Sequence, residues 1–424
     1  LARWQMGYGL KPTTEVRPWE FLNYYTFDYE APPDGHVNVL PEMRPVETSD
    51  GTMYEMQIGA RAQNTTNEER RPLSLTFSID TSGSMGGNPI LRAVDVCLAI
   101  ASYFKEGDVV SIVAWALEAP ILLDSHPVVG PDDTVFVDTI NSLTTGGETD
   151  LHEGLVTAYE LAYDNFNSAR INRVILMSDG NANAGITDLN LIAEAADDSE
   201  EEGIYLAGIG LGKNAYGFNE ELMNEVTDAG KGAYVFIGDA SEAERMFGEP
   251  DKFLSIIDVA ARDVRMELTL PPGWWIEEFH GEEYSTDPVD VDPQHLAPND
   301  AMIFHQVLDT CGDLTVSGEE EIYAEAQFYD PLSYAPSADG VTVTVDELLA
   351  GSDATLRKGN AIVHYALTIA ETQELYDDED NYPAIVVLID ASIAEVESAL
   401  DALAGDPDLT EIAAILEAYR TQFI

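Results

Sequence analysis

The amino-acid sequence predicts an α/β protein in which a domain with a doubly wound, mostly parallel sheet is inserted into a flanking β-sandwich, with helices at the C-terminus. Three patterns support this prediction. From Pro72 to about Gly248, short apolar strands alternate with helical stretches, as in the crossover units that build a parallel sheet. After about Pro250 the chain changes to strand-like stretches separated by turn residues. From Asp353 onward the spacing of apolar residues is helical.

The central α/β domain begins with the apolar strand LSLTFSID and the helical pattern PILRAVDVCLAIASYF, in which apolar residues recur every three or four positions. The same alternation continues with the strand DVVSIVAW, a helix around Asp133–Leu143, the helix LHEGLVTAYELAYDNF, the strand RVILMSDG, the helix DLNLIAEAADDSEEEG, the strand IYLAGIGLG, the helix FNEELMNEVTDAG and the strand AYVFIG. Ligands of such domains bind beyond the carboxyl ends of the strands. We therefore expect a functional site in the loops that follow the strands.

Both flanks of this domain contain strand-like stretches that are separated by turn residues. HVNVLPE and MYEMQIGARAQN precede the domain, and VRMELTLP, WWIEEFHG, AMIFHQVLD, EIYAEAQFYD and VTVTVDEL follow it, so we expect both flanks to build one sandwich. Helical patterns then cover DATLRKGNAIVHYALTIAETQELY, SIAEVESALDALAG and DLTEIAAILEAYRTQF. The expected boundaries are a flanking segment at 1–71, the α/β domain at 72–248, a β-rich part at 249–352 and a helical part at 353–424.

The charge of the chain is its most unusual compositional feature. Its 424 residues include 78 Asp and Glu but 20 Lys and Arg, a formal net charge of -58, while the 45% hydrophobic content indicates a folded chain. This charge argues against nucleic acid and anionic membrane surfaces as partners, because both are bound through Lys and Arg. A solvated surface suited to a cation-rich setting explains the acidity. Weak Ca²⁺ binding at Asp197–Glu202 or Asp377–Asp380 is the alternative, although no stretch carries the full pattern of a calcium loop.

No transmembrane helix is expected from the sequence. The longest apolar run, Val109–Leu123, is too short to span a membrane and contains Glu118 and Pro120. The chain starts at Leu1, and LARWQMGYGL lacks the apolar core of a signal peptide, so we expect that an export signal is absent from this chain because it has been removed.

The two cysteines, Cys97 and Cys311, leave two possibilities open. Cys97 lies among the apolar positions of a helical pattern, which favours a buried free thiol over a bridge to Cys311.

The stretch Ile79–Asn88, IDTSGSMGGN, raises the question of function. Asp80, Ser82 and Ser84 stand at alternate positions where an apolar strand ends, which is compatible with a hydrolytic nucleophile, a metal site or simple capping of the next helix. A nucleophile elbow requires glycines two positions to either side of the serine, and neither serine has them. The seven histidines are scattered, and His152, at a predicted helix start, is best explained as a capping or surface residue. AGIGLG is placed too late in the domain for a dinucleotide fingerprint.

The metal interpretation is favoured because two more loops offer matching groups. Thr149 in TTGGETDL and Asp179 in ILMSDG follow other predicted elements and are expected at the same sheet edge as Asp80, Ser82 and Ser84. A few hard oxygen ligands suit Mg²⁺, which prefers octahedral geometry and keeps several waters.

This set of motifs, DTSGSM, a GG-x-T-D-L loop and a strand that ends in SDG, resembles the von Willebrand factor type A domain with its metal-ion-dependent adhesion site. The resemblance implies that Ser82, Ser84 and Thr149 bind the cation directly, whereas Asp80 and Asp179 act through bound waters. It also implies Mg²⁺, with Mn²⁺ or Ca²⁺ possible at the same site, and a protein ligand that completes the metal shell with an acidic side chain.

The surroundings of the motif extend this resemblance. RPWEFLNYYTFDYEAP and the strand-rich, then helical, C-terminal part are similar to bacterial proteins with an N-terminal von Willebrand-associated segment and a C-terminal domain of unknown function. A partner-binding rim is assigned to Glu148, His152 and Asn181. For Glu148, contact with a metal-bound water, binding of the metal itself and exposure to solvent remain open.

Three functions are weighed on these grounds. The first is an extracytoplasmic bacterial protein, in the periplasm or on the cell surface, that uses the cation to hold a carboxylate of a protein partner. The second is a structural subunit of a homo-oligomer or surface assembly in which the cation serves subunit contacts or stability. The third, a metal-dependent hydrolase, is disfavoured because the motif supplies neither base nor nucleophile, and we expect no enzyme activity.

Overall fold

The structure is a computed structural model that describes residues 1–49, 51–185, 203–212, 218–230, 232–287, 290–311 and 316–424. Two compact units are present: the α/β unit is formed by Thr65–Val259 together with Leu1, and the flanking unit by Ala2–Asn64 and Ala260–Ile424. The predicted helix DLNLIAEAADDSEEEG and the acidic cluster Asp197–Glu202 lie outside the described residues, apart from Gly203 at the end of that helix.

The strands, numbered in chain order, are β1 (Asn38–Thr48), β2 (Gly51–Arg61), β3 (Leu73–Asp80), β4 (Val109–Trp115), β5 (Ile121–Pro127), β6 (Ile171–Ser178), β7 (Tyr205–Gly210), β8 (Tyr234–Phe236), β9 (Ala261–Thr269), β10 (Trp274–Phe279), β11 (Gln294–Leu296), β12 (Ala301–Thr310), β13 (Glu321–Tyr329) and β14 (Pro336–Thr344).

The helices are α1 (Ala2–Gly7), α2 (Pro18–Tyr24), α3 (Asn88–Ala101), α4 (Thr134–Asn141), α5 (Leu151–Asp164), α6 (Glu220–Ala229), α7 (Ala240–Phe247), α8 (Pro250–Ile257), α9 (Val345–Ala350), α10 (Ala354–Leu375), α11 (Tyr382–Ala402) and α12 (Pro407–Arg420). Within the described ranges, none of these helices has the length and apolar character that a membrane span requires.

The α/β unit contains the predicted, mostly parallel sheet, with the strand order β5-β4-β3-β6-β7-β8. Neighbouring strands are parallel except for β4 and β5, which form an antiparallel pair. Strand β5 is missing from the sequence prediction, because it is largely exposed and lacks the apolar run of a buried strand. Strands β3 and β6 are buried at every position, as expected for central strands covered on both faces.

Helix α5 packs on the sheet beside the predicted site. Trp115, at the end of β4, is completely buried, and its indole nitrogen donates to the hydroxyl of Ser78 at 3.0 Å. Gly154 of α5 allows this packing, because a Cβ atom at that position would come within 2.4 Å of the Trp115 ring. The close approach fixes the start of α5, and therefore the loop before it, against the carboxyl ends of β3 and β4.

The flanking unit is a sandwich built from both ends of the chain, which confirms the predicted fold class. One sheet has the order β1-β2-β12-β10 and the other β11-β9-β13-β14, and the two sheets share one apolar core. The opposite face of the first sheet contacts α2 and α10, and Ala301 and Ile303 of β12 belong to the apolar core that also contains residues of α11 and α12.

Two predicted elements of this unit have different bounds in the structure. The stretch VTVTVDEL is not a strand throughout, since the side chains of Thr344 and Glu347 form a capping box that ends β14 and starts α9. Helix α11 begins at Tyr382 instead of near Ser392, with Pro383 in its first turn.

Candidate metal centre

The candidate site begins at Asp80, the last residue of β3. Its side chain is buried, and each carboxylate oxygen accepts one hydrogen bond: Oδ1 from the backbone N–H of Ser82 at 2.8 Å, and Oδ2 from the hydroxyl of Ser178 at 2.8 Å. Burial raises the pKa of Asp80 to about 6; the bonds from Ser82 and Ser178 oppose this rise, and the neighbouring Asp179 adds to it. The carboxylate is therefore fixed in orientation and would be stabilised by a nearby cation.

The two serines lie in the loop that follows β3. Ser82 is buried, Ser84 is half-buried, and their hydroxyl oxygens are 3.0 Å apart. The loop is anchored by Thr81, whose backbone N–H and hydroxyl both donate to the carbonyl of Trp115, at 2.7 and 3.0 Å. Two oxygens that bind one Mg²⁺ at adjacent corners of an octahedron are about 3 Å apart, so the spacing of the serine hydroxyls fits such an ion.

The second loop, between α4 and α5, supplies Thr149. It is joined to the serine loop by two backbone hydrogen bonds, from Gly146 N–H to the carbonyl of Thr81 at 2.8 Å and from Gly83 N–H to the carbonyl of Gly147 at 3.0 Å. Thr149 is buried, with 1% of its surface exposed, although the rest of its loop is largely exposed. The structure therefore brings the hydroxyl of Thr149 to the same edge of the sheet as the serines.

The third loop follows β6 and carries Asp179. This residue is buried, and its Oδ1 accepts the backbone N–H of Asn181 at 3.1 Å. Gly180 adopts a φ of +72°, and a Cβ there would lie 2.5 Å from the carbonyl oxygen of Asn219. A glycine is thus required for the turn that places Asp179 directly after the strand.

Asn183 is a residue of the site that the sequence prediction missed. Its Oδ1 accepts the backbone N–H of Thr149 at 2.9 Å, and its Nδ2 donates to the Thr149 hydroxyl at 3.4 Å. The carbonyl of Thr149 in turn accepts the backbone N–H groups of Asn183 and Ala184, each at 3.0 Å. Asn183 therefore joins the second loop to the third. The sequence signal is weak, because two asparagines follow SDG and their spacing does not distinguish Asn183 from Asn181.

The rim residues predicted from the sequence lie around these loops. Glu148 is exposed, whereas His152, in the first turn of α5, and Asn181 are half-buried. The side chain of Asn181 donates to the carbonyl of Asp179 at 3.4 Å. His152 does not cap α5, because Asp150 does, accepting the backbone N–H of Glu153 at 3.1 Å.

The donor set of the site is made mainly of hydroxyls. Two carboxylates, from Asp80 and Asp179, are combined with the hydroxyls of Ser82, Ser84 and Thr149. In the part of the chain that the structure describes, no three His, Cys, Asp or Glu side chains are grouped to hold a metal. The oxygens present fit a hard divalent cation such as Mg²⁺ and offer none of the nitrogen or sulfur ligands that zinc prefers.

Cys97 is a buried free thiol, and its sulfur lies 3.7 Å from that of Met177. Cys311 is also free, and it is exposed.

The family model of the von Willebrand factor type A domain matches residues 74–249. The protein "Uncharacterized protein YfbK" of Escherichia coli (strain K12) is 27% identical over 368 residues, which are 82% of this chain and 58% of that protein. The protein "Uncharacterized protein sll0103" of Synechocystis is 23% identical over 215 residues, 50% of this chain and 49% of that protein. The chain spans about half the length of these curated relatives.

A solved structure gives the same fold. The "von Willebrand factor type A from Catenulispora acidiphila" has a TM-score of 0.53 at 14% identity, covering 88% of this chain and 89% of that chain. Domains of this family commonly mediate protein interactions or adhesion in bacteria, often bind a divalent metal and are generally non-catalytic. Residues 74–249 of the chain are therefore a von Willebrand factor type A domain.

Proposed function

We propose that the chain is a metal-dependent protein-binding or adhesion module whose divalent cation holds a carboxylate of a protein partner. The observation that supports this proposal best is the convergence of three loops on one set of oxygen donors. Ser82, Ser84 and Thr149 would bind the cation directly, and Asp80 and Asp179 would act through bound waters. Mg²⁺ is the proposed ion, and Mn²⁺ or Ca²⁺ would fit the same oxygens.

The chemistry of these donors favours binding over catalysis. Neutral hydroxyl ligands leave a divalent cation with enough positive charge to form a strong bond to a partner's carboxylate. Within the described residues, the hydroxyls of Ser82 and Ser84 bond to each other and have no histidine or lysine partner that would act as a base. We therefore propose that the chain is not an enzyme.

The proposed setting is the bacterial cell surface or the periplasm. This setting follows from the resemblance to bacterial proteins of the same organisation. Glu148, His152 and Asn181 form the proposed rim that contacts the partner, since they surround the three loops and are exposed or half-buried.

Calorimetric titration of the chelator-treated chain with Mg²⁺ and Mn²⁺ tests the metal site. We expect one site in the α/β unit, which Asp80→Ala abolishes while the circular dichroism spectrum persists. Asp138→Ala is the matched control, because Asp138 is an exposed carboxylate on α4 away from the three loops. Unchanged cation binding by the Asp80 variant would refute the site.

A second measurement tests the proposed use of the site. In the Mn²⁺-loaded chain, acetate should displace a metal-bound water and lower the relaxation rate of the water protons. Acetate that leaves this rate unchanged, in a chain that does bind Mn²⁺, would contradict carboxylate capture and leave a structural ion as the function.

A further inference from the structure

His305 of β12 is a buried imidazole without hydrogen-bond partners. Its side chain is 1% exposed, and within the described residues neither ring nitrogen is hydrogen-bonded. It shares a strand face with Ala301 and Ile303, which belong to the core formed with the C-terminal helices. The ring of His305 therefore lies between the first sheet of the flanking unit and its helical layer.

The helical layer lies close to the sheet at this place. Gln57 of β2 is the register partner of His305, and its Nε2 donates to the carbonyl of Thr355 in the first turn of α10, at 3.2 Å. A Cβ at Gly359 of α10 would come within 1.7 Å of the Gln57 side-chain oxygen. The packing leaves little room to hydrate a charged ring beside it.

The groups that face His305 make a charge on its ring more unfavourable. His280 follows β10; its backbone N–H donates to the carbonyl of His305 at 2.9 Å, and the two rings are 5.6 Å apart. His364 on α10 and Arg44 on β1 also act on His305 electrostatically, with the sign that disfavours its protonation.

The carboxylates in this region already have partners. Glu55 of β2 accepts a hydrogen bond from Arg44 at 2.5 Å, and Glu278 of β10 lies 3.6 Å from the Nε2 of His280. Burial, followed by the charges of His280, His364 and Arg44, lowers the pKa of His305 to about 3 from an ordinary value of 6.5. The pKa of His280 is lowered too, with burial as the main cause.

The histidines that the structure describes in this region do not form a preformed metal site. The three imidazoles of His280, His305 and His364 are not grouped so that they could hold an ion, in the regions of the chain that the structure describes.

We propose that His305 is an acid-sensitive switch, whose protonation releases the helical layer at α10 from the first sheet of the flanking unit. Above pH 6.5 the ring of His305 is neutral both when α10 is docked on the sheet and when it is released. His305 therefore does not affect the docking of α10 in that pH range. Below that pH the released state takes up a proton that the docked state excludes, and docking weakens as the pH falls toward 3. At pH 4.5 the contribution of His305 alone lowers the docking equilibrium by about 100-fold, whereas Glu42, which accepts bonds from the start of α10, acts in the opposite direction.

Hydrogen exchange measured by mass spectrometry, corrected for the intrinsic effect of pH on exchange, tests this switch. Between pH 7 and pH 4.5, peptides of α10 should lose about 100-fold more protection in the natural chain than in the His305→Leu variant. The comparison between variants removes the contribution of the many carboxylates that also titrate. His364→Gln is the matched control, because His364 is exposed and its loss should leave most of the acid response in place.

Equal loss of α10 protection in the natural chain and in His305→Leu would overturn the proposal. If His305→Leu does not fold, an NMR titration of the imidazoles in the natural chain decides instead. His305 should stay neutral at pH 5, and a ring that is protonated at that pH in the folded chain would also overturn it.

Discussion

The role of Asn183 gives a direct test of how the candidate metal centre is held together. Asn183→Ala removes two side-chain hydrogen bonds, one from the backbone N–H of Thr149 at 2.9 Å and one to its hydroxyl at 3.4 Å. Neither bond involves a proposed metal ligand other than Thr149. The substitution therefore leaves the oxygen donors in place and frees one of them to change orientation.

The size of the effect follows from the behaviour of residues that orient metal ligands. Loss of such a partner typically weakens metal binding by about 10- to 100-fold, which corresponds to roughly 1.4 to 2.7 kcal/mol. The backbone bonds from Asn183 and Ala184 to the carbonyl of Thr149 remain in the variant, so the lower part of this range is expected.

Calorimetric titration with Mn²⁺ measures this change, with circular dichroism as the check on folding. Asn141→Ala is the control, because Asn141 is an exposed asparagine at the end of α4 whose side chain bonds to the carbonyl of Val137. Affinity that is equal in Asn183→Ala, Asn141→Ala and the natural chain would refute the inference that Asn183 positions Thr149.

Two further predictions concern buried charge. The guanidinium of Arg70 donates to both carboxylate oxygens of Asp108, at 2.7 and 2.9 Å. Arg70→Met leaves this carboxylate buried without its bidentate partner and should destabilise the α/β unit by roughly 3–5 kcal/mol in chemical denaturation. A loss of stability below about 1 kcal/mol would contradict this prediction. Burial raises the pKa of Glu42 to about 7 from 4.5, although bonds from Tyr29 and from the start of α10 oppose the rise. The stability that this carboxyl group contributes is complete below pH 4.5 and is lost as the pH rises to 7. Glu42→Gln should therefore stabilise the flanking unit above pH 7 by at most about 3 kcal/mol. If the dependence of stability on pH is the same in the variant and in the natural chain, the reasoning is refuted.

Each of these two substitutions has an internal control. The double variant Arg70→Met with Asp108→Leu removes both charges and should recover part of the stability lost by the single variant; the recovery is partial because the backbone N–H groups of Leu73 and Lys105 lose their acceptor. Glu42→Gln should leave stability unchanged at pH 4, where the carboxyl group is protonated in the folded chain.

Much of the candidate site could be predicted because parallel strands end at one edge of their sheet. Asp80 ends β3 and Asp179 follows β6, and polar residues at the carboxyl ends of two buried parallel strands are expected at one edge of the sheet. The structure shows that these two strands are also neighbours. Thr149 is expected at the same edge because its loop follows another predicted element, and its role as a direct ligand is what the family resemblance implies. The part played by Asn183 was not predictable, because it depends on how the second and third loops meet in space.

Two features that the prediction missed, strand β5 and the end of β14, share a physical reason. Strand β5 is an edge strand with an exposed face, so it lacks the apolar run that identifies β3 and β6. The end of β14 is set by the capping box of Thr344 and Glu347, which is a local hydrogen-bond pattern within a stretch of strand-like composition. Apolar periodicity identifies buried elements, whereas these features are decided by hydrogen bonds at the surface.

The negative charge of the chain explains why uncharged hydroxyls are suitable as the proposed direct ligands of the cation. Asp80 and Asp179 already repel each other, and this repulsion contributes to the raised pKa of Asp80. Additional carboxylates among the direct ligands would cancel the charge of a divalent cation and leave little attraction for a partner. Ser82, Ser84 and Thr149 would supply oxygens without charge, so the proposed cation would keep its attraction for a partner's carboxylate. In a chain with a net charge of -58, which repels acidic groups elsewhere on its surface, the proposed site would attract an acidic partner at one defined place.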